Sequence, residues 1–175
     1  MAGSINIVPE NTSILQPTKF TFVIPDLPFA RYFCQTVSLP GVSTSPVGIE
    51  TPFSTTYYHG DKLVYDTFSI NAIVDEELRV WEETYTWLTS LTKPERWAQY
   101  AKTEPSPKAP RDLYYDGVLT INTNANNPNI RVKFRNCHPI SLGSIQFNTA
   151  ETADTIPTAD ITFRYDRFEI ERING

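Results

Sequence analysis

The strongest constraint in this chain is a period of two in its bulky side chains, repeated in widely separated runs. Phe20, Phe22 and Ile24 alternate with Lys19, Thr21 and Val23, and Phe68, Ile70, Ala72 and Val74 keep one phase, with Asp66 in phase near the solvent end. Ile161, Phe163 and Tyr165 repeat the pattern near the C-terminus. Successive side chains of a strand point to opposite faces, so each run describes a strand with one buried face. A length of 175 residues, 40% of them hydrophobic, supports one core and not two comfortable ones. The aromatic share of 13% favours strands over an all-helical design. The expectation is one mainly β domain over residues 19–175, preceded by an arm at 1–18 that carries Pro9 and Pro17.

Turn chemistry divides the domain. The strand at 19–24 ends at Pro25-Asp26-Leu27-Pro28, and a second strand, Arg31 to Leu39, stops at Pro40-Gly41. From Val42 to Tyr58 the chain holds Pro46, Gly48 and Pro52 among serines and threonines, which predicts a long, protruding hairpin or loop, closed by the turn His59-Gly60-Asp61. Leu63 to Val74 reads as one long strand. Asp75-Glu76-Glu77 then signals a helix start, because acidic groups oppose the positive helix end. Leu78, Trp81, Tyr85 and Leu88 follow at helical spacing, with Trp87 and Leu91 broadening the stripe, so this main helix covers one face of the sheet.

Pro94 opens a short helical turn, and Pro105, Pro107 and Pro110 impose an extended linker at 103–112 between two halves of the domain. Strands are expected at 114–123, 130–136 and 140–147, with an Asn-rich turn at 124–128 and a loop at 148–157. The last strand, 159–173, changes phase between Tyr165 and Phe168, as a bulge near Asp166-Arg167 would require. This makes seven or eight strands and one main helix.

Chemistry is conspicuous by what the patterns exclude. A net charge of -5, from 15 basic and 20 acidic residues, disfavours a duplex-binding surface. The start lacks a secretory pattern and no run approaches the ~18 apolar residues of a membrane span, so the chain reads as a soluble cytoplasmic product. Cys34, Cys137, His59 and His138 have no zinc-like spacing, and the adjacent Cys137 and His138 point to opposite strand faces, which defeats a nucleophile and base pair. The carboxylates around Asp75 read as a solvated helix start. With 7 glycines and no phosphate-binding loop or nucleophile elbow, no enzyme, cofactor or metal site is expected. Trp81, Trp87 and Trp97 offer a stacking platform for bases or sugars, against which Trp81 reads as core and Trp87 as interface packing.

Several stretches, in this order, resemble the contractile-phage tail tube family, which includes the tube proteins of R-type pyocins. They are Val37-Ser38-Leu39-Pro40-Gly41-Val42, His59-Gly60-Asp61, Tyr65-Asp66-Thr67-Phe68-Ser69-Ile70, and the helix with Trp81 and Tyr85-Thr86-Trp87-Leu88. The second half adds Phe134 to Leu142, where His138 stands in place of the family's aromatic before Pro139, and Ile161 to Ile170.

The resemblance implies a mainly β (α+β) antiparallel β-sandwich or half-barrel, closed into a β-barrel ring on oligomerisation. It implies a structural virion protein whose hexameric rings stack into an inner tail tube, assembled in the host cytoplasm. Its implied partners are copies of itself, a tail sheath, and baseplate or tail-terminator proteins. DNA would transit the lumen without specific binding, past polar strand positions suited by net negative charge. Candidate contacts between rings or subunits are Val42, Ser43, Val47, Ile49, Phe53, Tyr57, Tyr58 and His59. Candidate sheath- or neighbour-facing residues on the helix are Glu76, Glu77, Glu83 and Trp87. The alternatives are a specialised end ring of the same fold and a receptor- or carbohydrate-binding β-domain.

Overall fold

A computed structural model of the chain describes residues 12–25, 27–92, 114–150 and 155–173. The expected helical turn at 95–100, the linker at 103–112, Trp97 and most of the N-terminal arm lie outside the described residues.

The main body is an antiparallel sheet in the order β1-β8-β9-β10-β7-β2, with β11 also on β9. Its strands are β1 (Phe20–Val23), β2 (Cys34–Val37), β7 (Phe68–Ile73), β8 (Tyr115–Asn122), β9 (Pro128–Leu142), β10 (Thr158–Arg164) and β11 (Arg167–Arg172). Between β2 and β7 the chain leaves the sheet as β3 (Val42–Thr44), β4 (Val47–Glu50), β5 (Thr55–Tyr58) and β6 (Leu63–Tyr65). Two helices complete the described residues: α1 (Ala30–Phe33), one turn, and α2 (Arg79–Thr92).

The core is aromatic and sits on the inner face of the sheet. Phe68 stacks between Phe134 at 4.5 Å and Phe163 at 5.1 Å, and meets Phe22 edge-on at 5.7 Å. Such ring pairs add about 0.5–1.5 kcal/mol each beyond their burial. Phe22, Ile70 and Ile161, expected on the buried strand faces, lie around them, and Val132 of β9 joins them in the core.

Four strand boundaries differ from expectation, each for a local reason. The start of the second strand is helical, because a turn at Ala30–Phe33 buries Leu27 and Ala30 together. The run from Leu63 to Val74 divides at Asp66-Thr67, where the chain passes from the extension into the main sheet. β9 runs unbroken through Pro139, which lies beyond the end of β8 and therefore has a ladder partner on one side only. The phase change near Asp166 is real but shared: Arg135-Asn136 and Asp166-Arg167 kink opposite each other, with Asp166 N–H donating to Arg135 O at 3.0 Å. Asn136 takes φ 55°, a left-handed value that asparagine tolerates, and Asp116 accepts its N–H at 3.1 Å.

The helix begins later than expected and turns a different face to the core. Leu78 has φ 55°, which no helix contains, so α2 starts at Arg79, whose N–H is capped by Asp75 at 2.8 Å. Its buried side is Val80, Thr84, Trp87 and Ser90, one residue out of step with the expected Leu78-Trp81-Tyr85-Leu88 stripe. The two buried hydroxyls are satisfied within the helix, Thr84 donating to Val80 O at 2.8 Å and Ser90 to Trp87 O at 2.6 Å. They therefore pack as small residues.

Candidate functional site

The extension is one long hairpin with an offset in the middle. β3 pairs with β6 in the register Val42↔Tyr65 to Thr44↔Leu63, and β4 pairs with β5 from Val47↔Tyr58 to Glu50↔Thr55. Two residues, Ser45 and Pro46, therefore face four, His59 to Lys62. At this crossing a Cβ on Gly60 would lie 2.1 Å from Ser45 O, so only glycine allows the arms to touch. The tip is a tight turn, with Thr51 N–H on Ser54 O at 2.9 Å and Ser54 N–H on Thr51 Oγ1 at 3.1 Å. Phe53 stands on it at 99% exposure.

Every one of Val42, Ser43, Val47, Ile49, Phe53, Tyr57, Tyr58 and His59 is exposed, and all eight lie on this hairpin. Leu63 and Val64 of β6 join them as exposed apolar residues that the sequence reading did not single out. Exposed apolar side chains of this kind, borne on two-stranded ribbons that extend from the main sheet, are characteristic of a surface that another chain covers.

The helix candidates separate into three groups. Glu76 and Glu77 are exposed in the turn before α2, and Glu83 is half-buried. Trp87 is corrected: at 2% exposure it is a core residue, edge-on to Tyr115 at 5.4 Å and against Phe163 at 6.2 Å. It presents no ring to a sheath, base or sugar. Trp81, expected in the core, instead stacks on half-exposed Tyr85 at 5.4 Å and donates its indole N–H to Gly143 O at 3.3 Å.

The outer face of β8, β9 and β11 is electrostatic. The Arg135 guanidinium bridges Asp116 at 2.5 Å and Glu169 at 3.0 Å, Arg167 also reaches Glu169 at 3.2 Å, and Lys133 and Arg131 share Glu171 at 2.8 and 3.8 Å. The hydrogen bond from Arg135 holds the Glu169 carboxyl below the usual range, and that from Lys133 does the same for Glu171. Carboxyls lowered on folding contribute stability that is complete above their unfolded value of about 4.3 and is lost as pH falls through the folded value. Thermal melts should therefore show a modest loss of stability below about pH 4.3 that is reduced in Glu169→Gln/Glu171→Gln; an unchanged acid limb would refute the assignment.

Nothing among the described residues resembles a reaction centre. Cys34 and Cys137 are free thiols, pushed up to about 11 and about 12 by burial, so both are protonated and unreactive at neutral pH. Among the described residues no group of three or more His, Cys, Asp or Glu could hold a metal, and no helix is long and apolar enough to cross a membrane.

An antiparallel sheet, a helix over its core and an exposed apolar hairpin define a mainly β fold with no reaction centre among the described residues. Residues 15–171 match the phage tail tube protein family, and the chain belongs to that family of structural, non-enzymatic proteins. A comparison with curated protein sequences found no match. Solved structures share the fold at low identity. One is the sheath-tube complex, in the extended state, of an extracellular contractile injection system, PVC, with TM-score 0.60, 12% identity, and 93% and 94% of the two chains covered. Others are the tube-terminating cap of the anti-feeding prophage (0.65, 13%, 98% and 99%) and its baseplate (0.64, 10%, 94% and 100%).

Proposed function

We propose that this chain forms hexameric rings that stack into the inner tube of a contractile phage tail, a conduit for DNA during ejection. The observation that carries the reading is the hairpin β3–β6: among the described residues nothing covers its apolar side chains, and a neighbouring ring supplies that cover. Ring closure likewise pairs sheet edges that would otherwise recruit strands at random. The sheath is the partner outside the ring, met by the turn at Glu76 and Glu77; terminator and baseplate proteins meet the tube's ends. The protein's place is then the virion tail, after assembly in the host cytoplasm, and residues 19–175 act as one domain.

Electron microscopy of the purified protein tests this directly, with six-membered rings and stacked tubes around a central hole as the expected result. A protein that stays monomeric at high concentration, alone and on its own baseplates, would overturn it. The second reading is a ring present once, at an end of the tube, supported by the fold shared with a tube-terminating cap and a baseplate component. Copy number per particle separates the two: many rings for a tube subunit, one for an end protein. For a receptor- or carbohydrate-binding role, Trp87 is taken out of the platform by its burial in the core.

A further inference from the structure

The outer face of β8, β9 and β11 carries a regular row of cations. Arg131, Lys133 and Arg135 alternate along β9, and Arg167 stands opposite Arg135 on β11. Alternate residues of a strand are about 6.8 Å apart, so left bare this row would present closely spaced positive charges to any phosphate backbone beside it. It is not bare, since Asp116, Glu169 and Glu171 occupy all four cations.

Four positive against three negative charges leave the face close to neutral. The excess negative charge of the chain sits elsewhere: residues 75–92 hold five carboxylates and one arginine, a net -4 of the overall -5. Within β8, β9 and β11 the face carries none of the large exposed apolar side chains, Ile173 standing at its edge just past β11, whereas the outward side of β9 beside β10 carries half-exposed Ile140. Assembly covers apolar surface first, so the charged face is the one left uncovered.

We propose that this face lines the lumen, and that Glu169 and Glu171 mask its row of cations so that a passing DNA does not stick. The proposal rests on the tube reading above. Masking by pairing acts locally at each cation, where a diffuse negative charge on the helix side would be screened within about 10 Å at 0.1 M salt.

The test is duplex DNA binding by fluorescence polarisation with the full-length chain at about 50 mM salt. Wild type should not bind, and Glu169→Gln/Glu171→Gln should bind at least about tenfold more tightly, with log K falling against log salt at a slope of about -2.7 for the three cations freed, Arg131, Lys133 and Arg167, while Arg135 stays on Asp116. If the double variant does not fold, Glu171→Gln alone frees Arg131 and Lys133, and its slope should be near -1.8. Glu76→Gln/Glu77→Gln changes net charge equally on the helix side and should bind no better than wild type. An equal gain in that control, no gain in Glu169→Gln/Glu171→Gln, or tight binding by wild type would overturn the proposal. In assembled tubes of the variant the captured DNA should be nuclease-resistant; nuclease-sensitive DNA would place the face outside and overturn the lumen assignment. Absence of tubes in wild type would instead refute the tube reading, whatever the DNA titration shows.

Discussion

Trp87→Ala is expected to destabilise the fold by about 3–5 kcal/mol, a large share of the stability of any single domain. The ring is almost wholly buried and fills the space between Tyr115 of β8 and Phe163 of β10, so truncation leaves a cavity that strands on both sides cannot easily collapse into. Trp81→Ala is the matched comparison. Its ring lies on the outer side of the same helix, stacked on half-exposed Tyr85 with one hydrogen bond to Gly143, and its loss should cost no more than about 1–2 kcal/mol. Denaturant titration of the two variants decides between the helix face seen here and the face one residue out of step. Equal losses, or a larger loss for Trp81→Ala, would reject the packing described.

The hairpin should show the opposite separation, with assembly lost and the fold kept. Phe53→Asp places a charge at the fully exposed tip, where nothing of its own chain is disturbed, so the melting behaviour of the subunit should move by less than about 0.5 kcal/mol. In a stacked ring the same carboxylate would be desolvated against apolar surface, at a cost repeated six times around the ring, and tubes should fail to elongate. Gly60→Ala attacks the same surface from its backbone. The added Cβ cannot coexist with Ser45 O, so the two arms must part and the outer half of the hairpin loses its direction. Sedimentation and electron microscopy provide the readout; normal tubes from both variants would exclude the hairpin as the contact between rings.

Acid sensitivity and DNA adhesion, by contrast, test the charged face. They share residues but not signs: protonating Glu169 and Glu171 weakens pairs that hold β9 to β11, while replacing them with glutamine also releases cations toward phosphate.

Legibility of the fold tracked the length scale of the forces involved. The alternation at Phe20/Phe22, Phe68/Ile70/Ala72 and Ile161/Phe163 predicted the inward face of β1, β7 and β10 because a strand's geometry admits only two faces. The breaker-rich stretch from Val42 to Tyr58 announced the hairpin for a similar reason, since its prolines and glycine are poor partners for a central sheet. The helix was harder. Its periodic residues fit two stripes one step apart, and choosing between them needs the volume that Trp87 fills and the internal hydrogen bonds that let Thr84 and Ser90 go inside. Nor does any local pattern announce Leu78 or Asn136 with positive φ. The first is set by where the chain must turn to reach α2, the second by a kink that β9 shares with its neighbour.

The same division holds for function. Order of motifs along the chain pointed to a tube subunit, and the resemblance together with the breaker-rich composition of the loop marked the hairpin residues, yet the charged face was invisible. Asp116, Arg135 and Glu169 are separated by 19 and 34 residues, and only the pairing of β8, β9 and β11 brings them together. What the sequence by itself determined was the mainly β class, the inward strand faces and the protruding hairpin, because these follow from periodicity and turn stereochemistry within a few residues. What only the tertiary structure decided was which helix face is buried, where the strands kink, and which charges meet. Those outcomes depend on packing volume and on contacts between segments far apart in the chain.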